Sequence, residues 1–126
     1  MIKLVYEPIN IMEIYEMIDR QGCGSLVTHC GFAREDKSEE GKTSYIEFEP
    51  TQETIGELEE IATNIKEQWK VNDIIIIRRM GKVMVKEMIL AVAISAKRRK
   101  DAFSACMQTI DCLKKYKTIK KKEIFI

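Results

Sequence analysis

The sequence predicts an α+β domain with a mostly antiparallel sheet and packed helices. Three observations carry that prediction. Strand-like and helix-like periodicities follow one another in the order β, α, β, β, α, β, β, α, β. Hairpin-type connections outnumber the crossover units that a parallel sheet requires. The chain has 126 residues, 45% of them hydrophobic and 33% charged, the composition of an ordinary globular protein with one real core. Residues 1–126 are therefore expected to form a single domain.

Taken in order, Ile2 to Tyr6 (IKLVY) reads as a short strand. From about Ile9 to Arg20, the residues Ile11, Ile14, Tyr15 and Ile18 recur at spacings of three and four, one face of a helix. Gln21-Gly22-Cys23-Gly24 ends it, with glycine as the left-handed cap. Ser25 to Arg34 is strand-like, and the polar stretch EDKSEEGK is a loop. Thr43 to Glu49 alternates, with Ile46 and Phe48 on the inner side. Thr51 is the expected cap of a second helix whose buried stripe runs Ile55, Leu58, Ile61, Ala62, Ile65 and Trp69; Thr54 and Glu57 offer a secondary capping box. Val71–Met80 and Val83–Ser95 read as two strands joined by a turn at Met80-Gly81-Lys82. A third helix is expected from about Lys97 to Tyr116, followed by a terminal strand.

Several function classes fall away on composition. No apolar run reaches the roughly 18 residues needed to span a bilayer. The opening MIKLVYEPIN lacks the apolar region and cleavage site of a signal peptide. The expectation is a cytoplasmic protein with no membrane association. Cys23, Cys30, Cys106 and Cys112 form no CxxC pair, and His29, the single histidine, has no neighbour at zinc-ligand spacing. Neither a metal nor another cofactor is expected, and the thiols read as small buried groups in a reducing compartment.

The net charge of +1 hides a strong asymmetry. Residues 1–60 carry 14 acids and 5 bases, whereas residues 61–126 carry 6 acids and 16 bases. An anionic ligand handled by the second half follows from this. Ten of the cations lie between Lys97 and Lys122, in two clusters joined by the third helix. With Phe103 set at zero and 100° per residue, Cys106, Met107, Ile110 and Leu113 fall within about 80° of it, the expected core stripe. Lys114, at roughly +20°, and Arg99, at roughly −40°, fall inside the same stripe. For these two cations, snorkelling at the helix ends and partial desolvation both stay open. A desolvated lysine has a lowered pKa and serves as a base or nucleophile near neutral pH. Arg34 ends a strand beside the polar loop, and alternation puts Lys121 with Ile119, Glu123 and Phe125, facing the domain body, while Lys120 and Lys122 face away.

Four segments together resemble the large, catalytic subunit of molybdopterin synthase: GFAR at Gly31–Arg34, IEFE at Ile46–Glu49, RRMGKVMVKE at Arg78–Glu87, and VAISAKRRKDAF followed by DCLKKYKTIKKKE. The resemblance spans about Gly24 to Glu123. It implies the α/β-hammerhead fold and an enzyme that converts cyclic pyranopterin monophosphate into molybdopterin, in molybdenum cofactor biosynthesis. Sulfur would arrive on the thiocarboxylated Gly-Gly C-terminus of a small ubiquitin-like subunit, in a heterotetramer built on a homodimer with shared active sites. Carried over by position, the resemblance implies Lys114 and Lys121 as catalytic residues. It implies Phe32, Ala33, Arg34, Arg98, Arg99, Lys122 and Glu123 as substrate-binding residues. Arg98 stands where the family has histidine, and Thr118-Ile119-Lys120 where it has Pro-Ile-Trp. Loss of the histidine removes a group that titrates near neutrality.

The residue types suit that chemistry, because arginine forks match phosphate oxygens and a lysine of lowered pKa transfers protons. Arg99 and Lys114 are 15 residues apart, roughly 22 Å along a straight helix. One small substrate touching both would take Arg98 and Arg99 from a neighbouring copy. Two alternatives stand beside this reading: a non-catalytic scaffold of the same family, and a phosphate- or nucleic-acid-binding domain. Against nucleic acid, only Phe103 and Tyr116 lie between the basic clusters, too few aromatics for base stacking.

Overall fold

A computed structural model of the chain describes residues 1–115 and 117–126. The expected helix end at Tyr116, and the place of that ring among the basic clusters, lie outside the described residues. The expected α+β class with mostly antiparallel pairing is what the chain forms: eight strands and three helices among the described residues.

One sheet contains β1 (Ile2–Val5), β2 (Ser25–Phe32), β5 (Asp73–Arg79) and β7 (Met88–Ala96), in the spatial order β1-β5-β7-β2. Only β1 and β5 run parallel, with Ile2 beside Ile76. The other pairs are antiparallel, with Ile76 beside Val92 and Thr28 beside Ala93. The second sheet contains β3 (Lys37–Ser38), β4 (Gly41–Glu49), β6 (Gly81–Met84) and β8 (Lys120–Phe125), with β4 pairing all three others.

β5 reads DIIIIRR without alternation because both faces of its sheet are covered. On one face Ile75 and Ile77 pack with Ile14 and Ile18 from α1 (Ile11–Met17) and its end. On the other, Ile74 and Ile76 pack under α2 (Thr54–Gln68) and α3 (Arg99–Lys115), against Leu58, Ile61, Ile65 and Ala105. Each fully buried isoleucine contributes roughly 1.5–3 kcal/mol relative to leaving it exposed.

Several boundaries differ from the expectation. The first helix stops at Met17, because Ile18 turns extended to reach the core while its N–H still donates to the Ile14 carbonyl at 3.0 Å. Gly22, with φ of 70°, serves a separate turn. The polar loop holds the two-residue strand β3, which closes on Gly41 and Lys42. α2 begins at Thr54, and Thr51 does not cap it through its side chain. Instead the buried Thr54 hydroxyl accepts from the Thr51 N–H at 3.0 Å and donates to the Thr118 carbonyl at 3.3 Å. The helix start is thereby tied to the segment before β8.

Met80-Gly81-Lys82 is no hairpin turn. Gly81, with φ of 82°, lets the chain step from one sheet to the other, so the expected strand Val83–Ser95 divides into β6 and β7. The reversal falls instead at Met84–Glu87, with Lys86 in the left-handed region at φ 79°. Arg79, 7% exposed, holds both ends of the step. Its guanidinium donates to the Met80 carbonyl at 3.2 Å and the Lys82 carbonyl at 3.1 Å, and lies 3.3 Å from Glu87 Oε1. Glu87 Oε2 in turn accepts from the Met84 N–H at 2.7 Å.

The core stripe of α3 is rotated from its expected position. Ala102, Ala105, Cys106, Thr109 and Leu113 are buried, whereas Phe103 is 58% and Met107 68% exposed. Alanines let this helix lie close to its sheet, and the bulky side chains do not fit that gap. The Thr109 hydroxyl is accommodated by donating to the Ala105 carbonyl at 2.7 Å. No helix among the described residues is long and apolar enough to cross a membrane.

Candidate functional site

The β4–β8 ladder sets Phe48 beside Lys121 and Ile46 beside Glu123. Directly paired residues share a face of a sheet, so these four side chains point the same way. The last turn of α3 brings Lys114 to this face, and the end of β2 brings Phe32, Ala33 and Arg34. Together with Asp36 and Ile89 they line a cavity of about 390 Å³.

Each wall is held by local bonding. Ala33, 2% exposed, donates its N–H to the Glu87 carbonyl at 2.9 Å and accepts from the Lys86 N–H at 2.6 Å. Arg34 Nε lies 3.5 Å from Asp36 Oδ1, an exposed pair worth little by itself and free to accept a better anion. Glu123 is the most enclosed charge of the group. Its Oε2 accepts from the Thr43 hydroxyl at 2.7 Å, and its Oε1 lies 4.0 Å from Lys121 Nζ. Thr43 is itself buried and its oxygen accepts from the Asp36 N–H at 3.0 Å. One threonine thus links the carboxylate beside Lys121 to the loop that carries Arg34.

Three cations from three separate elements converge over the apolar floor of Ile46, Phe48 and Ile89. Such a site suits a small ligand with an anionic end and an apolar body.

Of the residues singled out from the sequence, the fold gathers Phe32, Ala33, Arg34, Lys114, Lys121 and Glu123 into this one cavity. It does not bring Arg98, Arg99 or Lys122 there. Arg98 and Arg99 sit at the other end of α3, and Lys122 faces a shallow groove with Tyr6, Glu47 and Lys82. Lys114 and Arg99 are exposed and share their helix face with Phe103 and Met107 instead of pointing into the core. Of the two alternatives open for Lys114, the single chain shows the exposed one, and the cause is the rotated core stripe. Thr43, Asp36 and Phe48 were missed as site residues. Alternation showed Phe48 facing inward, but the pairing that sets it beside Lys121 joins residues 73 positions apart and leaves no local trace.

Comparison with known proteins shows what the chain is similar to. Residues 4–116 match the model of a family described as MoaE protein. The chain is 31% identical over 123 residues to a molybdopterin synthase catalytic subunit of Nostoc sp., covering 95% of this chain and 73% of that protein. A Drosophila willistoni catalytic subunit is 32% identical over 129 residues, and the chain spans only 34% of its length. The crystal structure of molybdopterin synthase from Staphylococcus aureus superposes with a TM-score of 0.90 at 30% identity, covering 98% of this chain and 90% of that one. A chain in the complex of subunits 1 and 2 of molybdopterin-converting factor from Helicobacter pylori shares the fold, with a TM-score of 0.79 at 16% identity over 98% of this chain and 84% of that one.

Proposed function

The chain belongs to the MoaE protein family, whose relatives are catalytic subunits of the enzyme molybdopterin synthase, and from that premise we propose that it converts cyclic pyranopterin monophosphate to molybdopterin. The observation that carries this reading is the convergence of Lys114, Lys121 and Arg34 on one cavity with an apolar floor. The substrate is an anion with a fused-ring body, which that cavity suits. The sulfur donor is a thiocarboxylated Gly-Gly terminus on a small subunit. The Helicobacter pylori neighbour, a complex of two subunits of molybdopterin-converting factor, supports a two-component assembly.

In this reading Arg34 and Lys121 hold the substrate's anionic groups, and Lys121 stabilises negative charge as the cyclic phosphate opens. Lys114 acts as the base or nucleophile during sulfur addition. A lysine does this near neutral pH only when its ammonium is desolvated. The single chain leaves Lys114 exposed, so the covering must come from another chain.

The outer face of α3 supports a second copy as that cover. Phe103 and Met107 are exposed on it, with Arg99 at one end and Lys114 at the other. Arg99 and Lys114 lie equally far from the point between Cys106 and Met107, within half a residue of the helix midpoint, and so do Phe103 and Ile110. A two-fold axis through that point pairs Phe103 with Ile110 of the copy and Arg99 with its Lys114. Two cations brought together in this way require an anion between them, which the substrate phosphate supplies. Arg98 and Arg99 would then complete the partner's site. Glu123 acts beside Lys121 by orienting its ammonium, while Lys122 faces the adjoining groove.

The test is turnover of the pterin precursor with a thiocarboxylated small subunit. Lys114→Ala and Lys121→Ala are each expected to reduce it by a factor of 100 or more, within the range for general acid–base groups. Intact turnover in both variants would overturn the assignment.

A further inference from the structure

Phe48 and Lys121 also border a second cavity, of about 280 Å³, which Glu57 and Arg78 line. Its volume equals that of about nine liquid waters, and Leu58 supplies an apolar wall.

Arg78 is an unusual occupant of its position. It lies in β5 with Leu4 on one side and Leu90 on the other, on the face that Ile74 and Ile76 bury under α2 and α3. Its guanidinium carbon stands 5.9 Å from the Phe48 ring centre, and burial pulls its pKa below the usual arginine value. Its Nε is buried with no hydrogen-bond partner among the described residues. The same holds for Glu57 Oε2, on the first turn of α2. Buried polar atoms are nearly always paired, so a carboxylate and a guanidinium that line one cavity and each carry an unpaired atom mark a place for a ligand that offers complements to both groups.

We infer that Glu57 and Arg78 read the 2-amino-4-oxo-pyrimidine edge of a pterin ring seated in this cavity. The inference rests on the proposed synthase reading and assigns the base-recognition part of that site. A carboxylate accepts from the ring N–H and the adjacent amino group of that edge, while a guanidinium donates to its carbonyl oxygen. Leu58 and Phe48 supply apolar surface for the ring. Lys121 borders both cavities, so a substrate based here extends its phosphate towards Arg34 and Lys114.

The experiment is a fluorescence titration of the full-length protein with unphosphorylated pterin and with lumazine, which carries oxygen in place of the 2-amino group. Wild type is expected to bind pterin at least tenfold more tightly than lumazine. Glu57→Gln should weaken pterin binding about tenfold or more and shrink the discrimination, because a hydrogen bond to a charged group is lost. Arg78→Lys should weaken both ligands, and Lys3→Ala, at an exposed cation of β1 outside both cavities, should change neither. Thermal melting confirms that each variant is folded; Glu57→Gln, isosteric, keeps the test valid should Arg78→Lys be unstable. Absent discrimination in wild type, or discrimination retained in folded Glu57→Gln, overturns the inference. If turnover with the thiocarboxylated subunit fails while discrimination persists, the synthase reading falls and the base site stands; turnover without discrimination gives the reverse.

Discussion

Glu123 stands 4.0 Å from Lys121 Nζ and is pinned by a 2.7 Å hydrogen bond from Thr43. The carboxylate therefore sets where the ammonium points, and the hydroxyl sets where the carboxylate points. Glu123→Gln keeps the shape but removes the attracting charge. Turnover is expected to fall roughly tenfold to a hundredfold, the scale of a lost charge-assisted hydrogen bond. Thr43→Val leaves Glu123 short of a donor and should cost about 1–3 kcal/mol of stability as well. Denaturant melts and steady-state kinetics on both variants separate the two effects. A Glu123→Gln enzyme with unchanged turnover would remove Glu123 from the positioning role.

The step between sheets depends on one ion pair. Arg79 is nearly buried, and it satisfies two carbonyls as well as Glu87. Removing the cation strands these acceptors, although Glu87 is part-exposed, so Arg79→Ala is expected to cost roughly 1–3 kcal/mol, the usual penalty for unpaired buried polar groups. Replacing both partners by apolar residues should cost less. Urea denaturation of the single and double variants checks this. Equal destabilisation by Arg79→Met and by Arg79→Met with Glu87→Leu would show that the pairing itself contributes little.

Gly24 packs directly against the Lys97 carbonyl, closer than any Cβ could sit, while its N–H donates to the Ala96 carbonyl at 3.0 Å. Because the obstacle is backbone, Gly24→Ala must displace the turn that leads to Arg98 and Arg99. The variant is expected to lose about 1–3 kcal/mol, as overpacked sites do, and to bind substrate more weakly. Gly56, whose added Cβ would meet nothing, is the control, and Gly56→Ala should gain slightly from the better helix former. Melting temperatures of the two variants moving in the same direction would contradict this contrast.

Burial in the core raises the Cys106 thiol pKa to about 11. The neutral form is favoured in the fold, so between pH 9 and pH 11 the folded chain binds more protons than the unfolded one. Stability is then fully present below pH 9 and falls as pH rises through that window. Cys106→Ala removes this slope at the expense of a small cavity. Alkylation of the native protein at neutral pH should spare Cys106, because the reacting form is the thiolate. Peptide mapping after iodoacetamide treatment reads it directly.

What was legible in the sequence was periodic. The inward side of Thr43–Glu49 and the side of β8 carrying Lys121 and Glu123 both followed from alternation, and the cavity confirms them. The face of α3 was misread because that helix has two apolar stripes. One is bulky, with Phe103 and Met107, and one small, with Ala102 and Ala105. Hydrophobicity favoured the bulky stripe, while close packing on the sheet selects the small one. The step at Gly81 was misread for a different reason: a glycine between two apolar runs signals a turn equally well whether the chain folds back or changes sheets. Glu57 was legible only as a capping-box acid and Arg78 only as part of a family segment, since only the tertiary fold shows that each has a polar atom buried without a partner.

The outward placement of Phe103 and Met107 sharpens the case for a shared site. Their face needs a cover, and the symmetric spacing of Arg99 and Lys114 about the point between Cys106 and Met107 makes a second copy fit. Phe103→Asp should therefore leave the fold intact, since the ring contributes little to the chain's own core, yet it should shift the protein towards monomer. Light scattering reads the mass and circular dichroism the fold. Activity should fall with the dimer, because Lys114 would lose both its cover and the partner's Arg99. Complementation gives the stronger check. An Arg99→Ala chain and a Lys114→Ala chain are each expected to be nearly inactive alone, whereas a mixed dimer contains one site with both residues intact. Random mixing makes half of the dimers mixed, and each of these has one working site of two, so about a quarter of wild-type activity should return. Mixed dimers verified by mass spectrometry that recover nothing would mean that both residues act within one chain.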